Sequence, residues 1–242
     1  KTLEPLVSEY MRRIKHIRQN YLEIKPRLQQ LLIEPLALTN LTDLHMISEG
    51  FISQLPFETL FSNPVTISYN YSLKSAQQLE KPVTSHMKNN LVGFVPAYTL
   101  DNATPLHFTT QELTAITKSI PKADLYLDKE ATKSNFLRTL GDYSIHHLAM
   151  HSEVNELEYE QSSLVFQNQE KVYFHELYAL NFPAQLVVLG ACNTAIGQYL
   201  DGEGVMSLAR ALHYAGVSST VTSLWSVPDK ESADLMKLFY QE

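Results

Sequence analysis

Leu186-Val187-Val188-Leu189-Gly190-Ala191-Cys192-Asn193-Thr194 sets four consecutive apolar residues before a run of small and polar ones. A strand buried on both faces needs such an unbroken apolar run, whereas a half-exposed strand alternates. Short apolar or β-branched runs of the same kind stand at Leu91–Pro96, Asp124–Leu127, Ser144–Leu148 and Ser218–Leu224. Helical patterns lie between most of them, at Gln111–Ile120, Thr132–Leu140 and Gly204–Tyr214. This alternation predicts an α/β fold, a parallel sheet covered by helices on both faces. The stretch 149–185 shows no helical period, so loop plus a small hairpin is expected there.

The beginning of the chain reads differently. Leu3, Leu6, Val7, Tyr10, Ile14, Ile17 and Tyr21 recur at helical spacing, and Pro26 is expected to end that helix, with a second over Arg27–Ile33. The first thirty residues hold seven Lys/Arg against three Asp/Glu, a local +4 in a chain of net charge −7. That basic face is either a docking surface or a solvated helix face. Leu44–Ile47, Phe51–Leu55 and Val65–Tyr69 read as short strands around the turn Ser48-Glu49-Gly50.

Composition narrows the classes. With 242 residues, 44% of them hydrophobic and 19% charged, the chain can bury a core, which excludes disorder. The acidic balance argues against nucleic-acid contact. One cysteine excludes an internal disulfide and a cysteine-built metal site. No apolar run approaches the ~20 residues of a bilayer crossing, so no membrane partner is expected. The start Lys1-Thr2-Leu3-Glu4 has no signal-peptide pattern and no initiator Met, so the expectation is an internal fragment of a cytoplasmic protein.

Cys192 follows a buried strand at its carboxyl end, where parallel sheets present chemistry, and is either a nucleophile or an inert buried thiol. Ile145-His146-His147-Leu148-Ala149-Met150-His151-Ser152-Glu153 also ends a strand in polar residues. If the two strands are neighbours, a histidine there can exchange a proton with the thiol. His147 and His151 do not suggest zinc, because on a strand their spacing leaves them two residue pairs apart and Leu148 stands where a metalloprotease glutamate would. Asp201-Gly202-Glu203-Gly204 precedes the pattern Val205–Tyr214 and fits a helix entrance; no phosphate-binding pattern is present. Ser223-Leu224-Trp225-Ser226-Val227-Pro228-Asp229 is a third strand end, whose Asp229 either lines a pocket or caps a helix from Lys230. No Gly-x-Ser-x-Gly elbow occurs.

In this order and spacing the segments resemble the CHAT domain, a caspase-like peptidase module of the separase and caspase clan. Leu55-Pro56-Phe57-Glu58-Thr59-Leu60 is similar to its Leu-Pro-Phe-Glu-x-Leu segment, and Ile67-Ser68-Tyr69-Asn70-Tyr71-Ser72 to the strand that follows. Ala131-Thr132-Lys133 resembles its Ala-Thr-Lys helix start. His147-Leu148-Ala149-Met150-His151-Ser152 is similar to His-Phe-Ala-Thr-His-Gly, and Leu189-Gly190-Ala191-Cys192-Asn193-Thr194 to Leu-Ser-Ala-Cys-Glu-Thr. Gly202-Glu203-Gly204, Leu208-Ala209-Arg210-Ala211, Ala215-Gly216 and the 223–229 segment complete the pattern.

The resemblance implies a caspase-like three-layer αβα domain over residues 36–242, incomplete at its C-terminus. Residues 1–35 would be a helical joint to tetratricopeptide repeats or another sensor region. It implies His151 as base, Cys192 as nucleophile, and the backbone N–H groups of Ser152 and Cys192 as oxyanion donors. Asp229, Trp225, Asp201 and Glu203 would contact the substrate. No metal or cofactor is implied. Ser152 replaces the usual glycine, and Asn193 and Ala195 replace Glu and Gly, with no catalytic group lost. The implied activity is limited proteolysis of a protein substrate, switched on by a partner in bacterial defence or regulated cell death. The rival expectation is a silent scaffold that relays binding from a sensor.

Overall fold

The computed structural model describes residues 3–16, 19–79, 89–98, 109–120, 122–155, 158–190, 197–200, 204–225 and 227–241. Contacts divide the chain into residues 1–80 with 199–204, and residues 81–198 with 205–242.

In the first unit, helix α1 (Leu3–Lys15) buries Val7, Tyr10 and Met11. They pack with Ile24, Leu28, Leu55, Phe57 and Leu60. Fully buried Tyr10 keeps its hydroxyl satisfied by donating to Thr59 Oγ1 at 2.9 Å. The helix ends at Lys15, well before Pro26, and a 3-10 turn occupies Gln19–Glu23. Pro26 instead opens α2 (Lys25–Leu28), in the first turn where its missing N–H removes no hydrogen bond. The helix runs on as a π turn over Gln29–Ile33 and a 3-10 turn over Glu34–Leu36.

Strands β1 (Asp43–Met46) and β2 (Thr66–Tyr69) pair in parallel. The segment 51–55, expected as a strand, belongs largely to a 3-10 turn over Gly50–Gln54. Gly50 takes a φ of 66°, and the Ser53 hydroxyl donates back to its carbonyl at 2.7 Å, so the chain coils there. The Leu-Pro-Phe-Glu segment has a packing role: Leu55, Phe57 and Leu60 are buried. The Tyr69 hydroxyl ties it down, donating to Glu58 at 2.7 Å and accepting the Phe57 N–H at 3.0 Å. Helix α3 (Leu73–Leu79) follows.

From residue 89 the elements run β3 (Asn89–Val95), α4 (Thr109–Ser119), β4 (Ala123–Leu127), α5 (Lys133–Thr139), β5 (Tyr143–Leu148), β6 (His151–Glu153), β7 (Ser163–Val165) and β8 (Lys171–Tyr173). They continue as α6 (Phe174–Leu177), β9 (Leu186–Leu189), β10 (Gly197–Leu200), β11 (Gly204–Ser207), α7 (Leu208–Ala215), β12 (Ser219–Val221) and α8 (Asp229–Phe239). The central sheet has the order β12-β9-β5-β3-β4, with every pair parallel.

Successive residues of its strands feed opposite layers. Val92, Phe94, Val187 and Leu189 pack with Phe136 of α5, Leu177 of α6 and Leu208 and Leu212 of α7. Leu91 and Val95 pack with Leu113 and Ile116 of α4, joined by Met236 and Tyr240 at the α8 side. This is the three-layer α/β arrangement, consistent with a caspase-like fold.

The helical pattern at Gly204–Tyr214 is corrected at its start. Residues 204–207 form β11, and α7 begins at Leu208 because the Ser207 hydroxyl caps it, accepting the Arg210 N–H. The helix entrance is therefore Ser207 rather than Asp201-Gly202-Glu203-Gly204. Gly216 closes α7 at φ 112°, the left-handed position that suits glycine. Among the described residues no helix is long and apolar enough to cross a membrane.

Candidate active site

The site is built where β5 and β9 end. The two strands are adjacent and in register, Ile145 with Leu186 through Leu148 with Leu189. The pairing extends past both, since Gly190 N–H donates to the Leu148 carbonyl at 3.0 Å and Ala149 N–H to the Phe94 carbonyl at 3.0 Å. A Cβ added at Gly190 would stand 3.3 Å from Ala149 Cα, so the close approach of these two strand ends favours glycine. Cys192, two residues further along, lies outside the described residues, as do Asp201 and Glu203.

His151 and Ser152 are described, and they are not where a straight strand would carry them. The chain leaves the central sheet after Leu148, and His151 begins β6 in a separate antiparallel sheet of order β6-β7-β8. His151 pairs with Val165 and Ser152 with Leu164. The expected loop with a hairpin over 149–185 is thus a three-stranded meander followed by α6. It also means that His147 and His151 do not share one strand face. His151 and Ser152 are both half-buried.

Tyr98 stands beside His151. Its hydroxyl accepts the His151 N–H at 2.8 Å and donates to the Val165 carbonyl at 2.7 Å. Its ring centroid lies 4.5 Å from that of the imidazole. Burial raises the Tyr98 phenol above its ordinary pKa, so the hydroxyl stays protonated. Nothing in the sequence reading singled Tyr98 out; the one available signal was an aromatic residue just beyond a strand end, in Pro96-Ala97-Tyr98.

The Ala131-Thr132-Lys133 segment braces the same meander. Ala131 is fully buried and its carbonyl accepts the Gln167 N–H at 3.0 Å. Thr132 caps α5 by accepting the Asn135 N–H, and Lys133 Nζ donates to the Lys171 carbonyl and to Glu176, each at 2.8 Å. These residues hold the frame on which His151 sits.

His147 is fully buried on the α4 side, with Nε2 3.0 Å from Glu112 Oε1 and Nδ1 3.0 Å from the Tyr240 hydroxyl. The Nε2 contact lacks the geometry of a hydrogen bond. His146 faces the other layer. Among the described residues no group of three His, Cys, Asp or Glu is placed to hold a metal.

Trp225 is half-buried, four residues past β12. Asp229 is the first residue of α8, whose N-cap is Pro228, so the helix begins one residue earlier than a cap at Asp229 requires. An aspartate in the first turn suits the helix dipole.

The CHAT domain family model matches residues 23–242. The chain belongs to the CHAT domain family, which is associated with caspase-like cysteine peptidases. No curated protein matches the chain.

Proposed function

We propose that the chain is a cysteine endopeptidase with His151 as base and Cys192 as nucleophile. One observation supports this reading above the others: β5 and β9, the strands that lead to these two residues, are parallel neighbours in register. A thiol and an imidazole carried past adjacent strand ends can exchange a proton. The Cys192 thiolate attacks a peptide carbonyl, and the N–H groups of Ser152 and Cys192 bind the oxyanion. His151 protonates the departing amine and then takes a proton from the water that releases the acyl group.

The substrate is a protein cut at few sites, and a partner or sensor region, such as tetratricopeptide repeats, switches the activity on. The setting is bacterial defence or regulated cell death, within the cytoplasm. Trp225 and Asp229 line a substrate pocket, and the Asp229 carboxylate favours Arg or Lys before the cut bond.

The test is labelling by a cysteine-directed peptide electrophile, with and without the co-expressed neighbours of the full-length protein. Labelling that disappears in Cys192→Ala and His151→Ala supports the peptidase. A thiol that stays unreactive in every activated complex identifies a silent scaffold instead. A peptide library then reads the pocket: an Arg or Lys preference lost in Asp229→Ala supports the acidic pocket, and an apolar preference in both proteins removes it.

A further inference from the structure

β6 is only three residues long and among the described residues pairs with β7 only, a short ribbon that holds it weakly. We infer that Tyr98 is the positioning residue that fixes His151, by inserting its hydroxyl between the His151 N–H and the Val165 carbonyl and laying its ring against the imidazole. The inference rests on the reading of His151 as the catalytic base.

His151 and Val165 are the residues that the register makes partners, and the Tyr98 hydroxyl touches both, as acceptor from one and donor to the other. A single side chain thereby ties the carboxyl end of β3 to the first rung of the β6–β7 ribbon. Its own backbone is anchored to the same ribbon, because Ala97 N–H donates to Gln167 Oε1 at 2.8 Å, just past β7. The rings stand at 41° with centroids 4.5 Å apart, an attractive tilted contact that restricts imidazole rotation. A base that must reach the thiol and then the leaving amine gains from losing that freedom before substrate arrives. Phenylalanine at 98 would keep the ring and lose both hydrogen bonds.

The experiment compares the wild-type chain with Tyr98→Phe by NMR, with histidine side chains labelled and His151 assigned. In the wild type the His151 amide should exchange slowly, and its ring protons should be displaced upfield by the Tyr98 ring. In Tyr98→Phe the amide should exchange about tenfold faster or more, the upfield displacement should shrink, and kcat for a cleaved peptide should fall about tenfold with KM little changed. Unchanged exchange and ring shifts in Tyr98→Phe overturn the inference, whatever the peptide result. If Tyr98→Phe does not fold, the wild type decides, since a fast-exchanging amide with undisplaced ring protons overturns it. If the wild type cleaves nothing even in every activated complex, the peptidase reading falls while exchange and shifts still decide what Tyr98 does.

Discussion

Replacing His146 by leucine should stabilise the protein more as the pH falls. His146 lies on β5 with no exposed surface, and neither ring nitrogen makes a well-formed hydrogen bond. Its ring packs edge-on against Phe182 at 4.6 Å, with Phe136 and Tyr143 close by. Burial pushes its pKa down from 6.5 to about 3, an effect that the Thr139 backbone only partly offsets. The folded protein therefore holds the imidazole neutral, while the unfolded chain takes up a proton below pH 6.5. Stability from this group is complete above pH 6.5, declines as the pH falls, and is lost by about pH 3. At about 1.4 kcal/mol per pH unit, the loss approaches 5 kcal/mol at the bottom of that window and is about 3 kcal/mol at pH 4.5. At pH 7 the two proteins should differ little, because leucine removes about 1–3 kcal/mol of unsatisfied polar burial but forfeits the edge-on contact, about 0.5–1.5 kcal/mol. Urea unfolding at pH 7 and pH 4.5 measures the difference, with the other titrating groups common to both proteins. His146→Leu should gain about 2–3 kcal/mol on the wild type between the two conditions. Parallel losses in the two proteins would refute the buried neutral imidazole.

Two further perturbations probe the layers of the sheet. Gly93→Ala puts a methyl 2.7 Å from Leu113 Cδ1 and 2.8 Å from Leu125 Cδ2, and should cost about 1–3 kcal/mol in thermal or urea unfolding; an unchanged midpoint would mean that the α4 layer yields freely. Tyr240→Phe leaves His147 Nδ1 without the hydroxyl 3.0 Å away and should cost about 1–2 kcal/mol at pH 7, measured by urea unfolding; no loss would show that this contact contributes nothing.

The strands of the central sheet were legible because both faces are covered, which leaves continuous apolar runs such as Leu186–Leu189. α5 was legible because Thr132 caps it in a way that the residue type announces. Three-residue strands escaped for a physical reason: His151-Ser152-Glu153 is polar, too short to show a period, and paired by contacts across the chain rather than along it. Phe51 and Ile52 looked like a strand because two apolar neighbours cannot distinguish a 3-10 turn from an extended run. β11 was absorbed into the helix pattern because Val205 and Met206 continue the apolar rhythm of α7. At the site, the strands leading to His151 and Cys192 were legible as strands, whereas their adjacency was only a condition, which the register of β5 with β9 meets. Tyr98 was not legible, since its role depends on a hydroxyl meeting two backbone groups that lie more than fifty residues further along.

The strand order also determines where space opens above the sheet. From β3 the chain first adds β4 on one side, then returns to place β5, β9 and β12 in turn on the other. The winding therefore reverses between β3 and β5, and connections that depart in opposite directions leave a crevice at the carboxyl ends of that pair. Pro96-Ala97-Tyr98 and Ala149-Met150-His151 follow the ends of that pair, and the Tyr98 ring stands 4.5 Å from the imidazole. β3 thereby bears on His151 through a residue three past its end, although the strand supplies none of the groups proposed for the chemistry.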